Sequence, residues 1–218
     1  RSISRRLLGT ATMADRQVQR VRTPITLPVF VASLRAAHVS ELGREPDRKT
    51  AAVLYGHLMI ETSGIHVWNW NLGNIKYTPG CGHDWFDLPG TWERVGDKRV
   101  ELPEGDPGRR FRAYDSPIDG LARKLRFLYE GAGGRYSLAW GQACAGDPAL
   151  YARALGRAGY YTGDVEAYVR GVCNGFMTFM AKAPEWTSYQ PRDSVLEELR
   201  TLARMACVDA VVEGARPA

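Results

Sequence analysis

Two carboxylates with aromatic plates between them are the residues of this chain best suited to chemistry. Glu61 closes a stretch with helical spacing, and Glu93 follows in a segment that alternates like a hairpin. Four of the six tryptophans, Trp68, Trp70, Trp85 and Trp92, lie between them. Cleaving a glycosidic bond requires such a set. One acid protonates the leaving oxygen, a second steadies the oxocarbenium-like centre or its water, and flat apolar faces hold sugar rings.

The elements that would position these groups are legible from periodicity and caps. Val31, Leu34 and Leu42 recur at helical spacing between Pro28 and Leu42, and Gly43 to Pro46 breaks the pattern. Asp47 is placed to cap a helix over Arg48–Thr62, with Gly64 at the left-handed stop. On that helix Leu54, Leu58 and Glu61 fall at i, i+4 and i+7 and share one face, so the carboxyl rides on the core-facing stripe. A buried carboxyl without a partner is expected to have a raised pKa, which keeps a general acid protonated. Residues 65–110 turn to aromatics, Gly, Pro, Asp and His. Within them Thr91 to Val95 and Lys98 to Leu102 predict a hairpin about Gly96-Asp97. Helices return after Ser116-Pro117 (to about Gly131), after Asp147-Pro148 (to about Ala158), over Val165 to Lys182 and over Ser194 to Val212. The expected fold is mainly helical, α+β, with a small β-hairpin lobe. Residues 1–25 are expected to be an arm or expression remnant, 26–183 the domain, and 184–218 a helical extension packed on it.

Bulk properties exclude more than they assign. At 218 residues the chain fits one domain. No run approaches 18 apolar residues, so no membrane span is expected. Arg1 to Leu8 has no sustained apolar stretch or small-residue cleavage site and is not expected to act as a secretory signal, and Met13 could be a native start. The net charge of +5 favours polyanions, yet the arginines are scattered and no nucleic-acid motif accompanies them, so no nucleic-acid partner is expected. Four cysteines, Cys81, Cys144, Cys173 and Cys207, show no CxxC pairing and permit three disulfide connectivities. His66, His83 and Asp84 lack metal-ligand spacing, and Ser63 lacks a GxSxG elbow; neither a metal nor another cofactor is expected.

Five segments in order carry a family resemblance: ETSG (Glu61 to Gly64), NLGNIK (Asn71 to Lys76), TWE (Thr91 to Glu93), FRAYDS (Phe111 to Ser116) and AGYYTGDVEAY (Ala158 to Tyr168). Together they resemble the family 73 glycoside hydrolases, lysozyme-like β-N-acetylglucosaminidases that cut peptidoglycan. The resemblance implies a lysozyme-like helical domain whose β-lobe flanks a cleft. It implies Glu61 as catalytic acid, Glu93 as the second acidic residue and Tyr160 as the tyrosine near the acid. It also implies peptidoglycan glycan strands as the partner and the bacterial cell wall as the place of action, with delivery by a virion or secretion assembly open. The chain departs from the family at Gly73 and Asn74, where phenylalanine and glycine are usual, and at Tyr161, where a small residue is usual.

Each candidate also has an ordinary structural reading. A glutamate at a helix end commonly faces water, and Glu93 can pair with Arg94 or Lys98; Glu101 and Glu104 are the fallback acids. Tyr160 can simply pack, and Tyr168 is expected in the core or the cleft wall. Asn71 and Asn74 either tie down their loop or reach substrate. Trp68, Trp70 and Trp92 are the candidates for stacking on sugar, since so many tryptophans in one polar region are hard to bury together.

Overall fold

The computed structural model describes residues 15–64, 66–95, 98–183 and 186. The expected last helix, Ser194 to Val212, and Cys207 lie outside them. The chain is mainly helical with two small antiparallel sheets, an α+β fold as expected. The described residues form the helices α1 (Leu27–Leu42), α2 (Arg48–Thr62), α3 (Pro117–Tyr129), α4 (Gly131–Gly134), α5 (Ser137–Ala145), α6 (Pro148–Arg157) and α7 (Val165–Lys182), and between α2 and α3 an insertion carries β1 (Trp85–Asp87), β2 (Trp92–Val95), β3 (Lys98–Glu101) and β4 (Arg110–Arg112). No described helix is long and apolar enough to cross a membrane.

Helix starts follow local chemistry. Asp47, Ser116, Asp147 and Asp164 each accept a bond from the backbone N–H three residues on, at 2.8, 3.0, 2.8 and 2.7 Å. Helix α2 begins and ends where its pattern predicts. Its stop differs in one detail: Ser63 already turns left-handed (φ 53°), and Gly64 (φ 68°) continues the turn. The helix expected to reach Gly131 ends at Tyr129 and is followed by the short α4, and α5 was not foreseen.

α2 is the central element, with Ala51, Ala52, Val53, Leu54, Gly56, His57 and Leu58 all buried. It packs most closely on α7, and glycines on both helices permit the approach: a Cβ built on Gly175 would lie 2.6 Å from the Gly56 Cα. Phe30 and Leu34 of α1, Leu121, Leu125 and Leu128 of α3, Tyr151 and Leu155 of α6, and Val172 and Phe179 of α7 complete the core.

The β2–β3 hairpin forms as predicted, with Trp92 opposite Glu101 and Glu93 opposite Val100. The β1–β4 pair was not foreseen. It sets Phe86 opposite Phe111, whose rings stack at 6.0 Å. Residues 15–25, expected to be an arm, are tied to the domain over their described length. Val18 N–H donates to the Trp85 carbonyl (2.8 Å), Thr23 to Val67 (2.9 Å) and Ile25 to Gly64 (3.0 Å). Of the C-terminal extension, Trp186 packs on Phe179 and donates its indole N–H to the Pro46 carbonyl at 2.9 Å.

Candidate active site

Glu61 stands on the last turn of α2 with its side chain 16 % exposed, shielded yet reachable from solvent. Three elements converge on its carboxyl. Tyr168, on the first turn of α7, donates its hydroxyl to Oε1 at 2.6 Å. Asn74, left-handed at φ 49°, turns its amide back to the Glu61 carbonyl at 2.9 Å and to Oε2 at 3.4 Å. His57, one turn earlier on α2, sets Nε2 3.7 Å from Oε1. Asn74 therefore supplies a side-chain donor to this carboxyl.

Behind the carboxyl lies a buried polar chain. His57 Nδ1 shares a hydrogen bond with the Tyr151 hydroxyl, and its Nε2 is 3.3 Å from Lys124 Nζ. The Lys124 ammonium donates to the Tyr160 hydroxyl at 2.7 Å, which donates to the Gly73 carbonyl at 2.9 Å. His57 and Lys124 are 1 % and 5 % exposed. Each tautomer of neutral His57 satisfies one of its two Nε2 contacts. With the proton on Nδ1, Nε2 accepts from Lys124; with the proton on Nε2, the ring donates toward Glu61.

The electrostatics reverse one expectation. Burial pushes the Glu61 carboxyl up. The imidazole of His57 beside it, the charge of Lys124 and the Tyr168 hydrogen bond together outweigh it, so the net shift is downward. The raised pKa expected for a partnerless carboxyl is absent because this carboxyl has partners. Burial, aided by Lys124 and opposed by Glu61, lowers His57 to about 4, and burial opposed by Glu61 lowers Lys124 to about 7. Near neutral pH the histidine is uncharged and the glutamate is a carboxylate. Burial and the charge of Glu61 hold the Tyr160 and Tyr168 phenols above their usual range, so both remain O–H donors.

The other sequence candidates fall in different places. Glu93 is 54 % exposed on β2, 3.7 Å from the Lys76 ammonium, and no described contact joins it to Glu61. Tyr160, expected beside the acid, instead holds Lys124, and Tyr168 is the tyrosine on the carboxyl. Asn71 is 2 % exposed, and its amide bonds Ile75 and the Arg112 carbonyl at 2.8–2.9 Å, so it shapes the loop rather than meeting a ligand. Trp70, 3 % exposed and left-handed at φ 53°, belongs to the core. The remaining insertion tryptophans carry arginine on their faces. Arg20 covers Trp68 at 4.7 Å, Arg110 covers Trp85 at 4.7 Å and Arg99 covers Trp92 at 4.2 Å. Trp92 remains 46 % exposed. Cys81, Cys144 and Cys173 are free thiols, and no described cluster of His, Cys, Asp or Glu is placed to hold a metal ion.

His57 and Lys124 were missed from the sequence, although both left a trace. His57 stands four residues before Glu61 on an otherwise apolar helix face. Lys124 occupies a core position of α3 in the series Leu121, Lys124, Leu125, Leu128. A charged residue on the apolar stripe is the signal that could have found it.

The chain matches no family model, no curated protein and no solved structure.

Proposed function

We propose that this chain is a peptidoglycan hydrolase, an endo-β-N-acetylglucosaminidase cleaving the β-1,4 bond from N-acetylglucosamine to N-acetylmuramic acid. The observation that carries the reading is Glu61: a helix-borne carboxyl, 16 % exposed and held on both oxygens by Tyr168 and Asn74. Ordered motifs supply the bond specificity; the geometry alone supports acid–base chemistry on a ligand reaching that carboxyl.

In this mechanism Glu61 takes up a proton and delivers it to the leaving glycosidic oxygen as the C–O bond breaks. The substrate's 2-acetamido oxygen, or a water guided by Glu93, meets the anomeric carbon. Tyr168 then donates to the carboxylate left behind, and Asn74 fixes its orientation. Because the resting carboxyl is ionised, turnover favours the acidic side of neutrality. The basic surface suits an anionic wall, at which a virion or secretion assembly could place the protein.

One observation favours a second reading on the same residues. Glu93 is exposed and salt-bridged to Lys76, which leaves Glu61 as the organised acid of the two, and a lytic transglycosylase requires one. Digestion of purified peptidoglycan with mass analysis of the new ends separates the two. Reducing N-acetylglucosamine ends support the glucosaminidase, and anhydromuramic ends support the transglycosylase. Wall binding with no new ends overturns both.

A further inference from the structure

The insertion glycine that departs from the resembled motif has a physical consequence. A Cβ on Gly73 would lie 2.5 Å from Cδ, 2.8 Å from Cε and 2.7 Å from Nζ of Lys124. Any larger residue there would occupy the path of the lysine, so Gly73 opens the notch through which α3 sends an ammonium into the buried site. The ammonium comes to rest between Tyr160 Oη (2.7 Å) and His57 Nε2 (3.3 Å), with the Tyr160 ring 4.6 Å below it. A water-sized cavity of about 10 Å³, lined by His57, Lys124 and apolar residues including Phe30 and Leu54, lies on its inner side.

A buried ammonium needs an opposing charge, and Glu61 supplies it. The titratable groups that face the pair are uncharged near pH 7: His57 from α2, Tyr151 from α6, Tyr160 from the turn after α6 and Tyr168 from α7. The loop bearing Gly73 and Asn74 faces the pair with amide and carbonyl groups only. The buried charge therefore reduces to one cation and one anion joined through an imidazole.

We propose that Lys124, admitted by Gly73, is a positioning residue that serves as the built-in counter-cation of Glu61, holding it as a carboxylate while the site is unliganded and so setting the pH range in which it can act as an acid. The inference rests on the function proposed above, since it assigns Glu61 the acid's part. Lys124 does not touch the reacting atoms. It acts through the charge it presents behind His57, and its loss lets Glu61 keep its proton to higher pH.

The test follows the Glu61 side-chain carboxyl by ¹³C NMR across pH in the whole protein without substrate. In the unsubstituted protein, the Glu61 signal shows a second, smaller shift as Lys124 loses its proton near pH 7. In Lys124→Met the Glu61 midpoint rises by about 1–2 pH units, the shift a nearby cation produces. Gly73→Ala, which keeps the charge but crowds the lysine's path, moves the midpoint the same way by less. The acidic-side rate profile on peptidoglycan moves with it. An unmoved Glu61 midpoint in both folded variants, or no second shift in the parent, overturns the proposal. The NMR arms need no turnover. A shifted midpoint without released fragments would refute the function and spare the counter-cation; released fragments without a shift would do the reverse.

Discussion

The glycine-lined crossing of α2 and α7 gives the most quantitative prediction. α2 and α7 touch at Gly56 and Gly175, and the same crossing brings Tyr168 to Glu61. In Gly175→Ala the new methyl would lie 2.6 Å from the Gly56 Cα, a backbone atom that no rotamer change can move. Relieving it to the 3.4 Å at which ordinary contact begins requires the helices to part by about 0.8 Å. Alanine gains about 1 kcal/mol of helix propensity over glycine, while overpacking costs about 1–3 kcal/mol. Backbone cannot yield as a side chain does, so the cost falls at the upper end, and the net destabilisation is about 2 kcal/mol. For a domain of this size that lowers Tm by about 4–8 °C. The same parting stretches the 2.6 Å bond from Tyr168 to Glu61 to a length at which a hydroxyl bond is largely lost. Urea unfolding of the parent and Gly175→Ala measures the first effect. Gly141→Ala on α5 is the control, because nothing lies within 4 Å of its Cβ, and it should gain about 0.5–1 kcal/mol. If Gly175→Ala is as stable as the parent, the crossing is looser than described and the reasoning fails.

Two further predictions concern protons. Tyr168→Phe keeps the ring stack on Tyr161, at 3.8 Å and 10°, but removes the hydroxyl that stabilises the Glu61 carboxylate. The Glu61 midpoint should rise by about one pH unit or more, given the roughly 1.5–3 kcal/mol of a bond to a charged acceptor; an unchanged ¹³C titration would count against that bond. His57 is lowered in the folded chain from 6.5 to about 4, so between those values the unfolded chain binds more protons and stability falls as pH falls. The parent should lose on the order of 3 kcal/mol relative to His57→Gln between pH 7 and 4 in urea unfolding. A pH-independent difference would show that the imidazole is not buried uncharged.

Local signals carried much of this architecture into the sequence. Asp47, Ser116 and Asp147 announce their helices because a cap needs only residues three apart, and the apolar stripe of α2 carries Glu61 for the same reason. Three-residue strands such as β1 and β4 are too short for alternation to register, and the small-residue run of α5 has little amphipathic period. The polar network was hidden for another reason. Lys124 lies 67 residues from His57 and Tyr168 lies 107 from Glu61, so nothing in either neighbourhood foretells their meeting. The tryptophans mislead similarly, since Arg20 and Trp68 are distant in sequence yet stacked in space. The expected raised pKa failed on the same ground: the face of Glu61 was legible, its partners were not.

The central claim is that the Glu61 carboxyl is the reactive acid of a glycan hydrolase. The most direct measurement is digestion of purified peptidoglycan by the parent and Glu61→Gln, with mass identification of the new ends and circular dichroism to establish that both are folded. The account predicts reducing N-acetylglucosamine ends from the parent and a loss of at least about 100-fold in Glu61→Gln, the scale of removing a positioned acid. Undiminished release by the folded Glu61→Gln protein would contradict it.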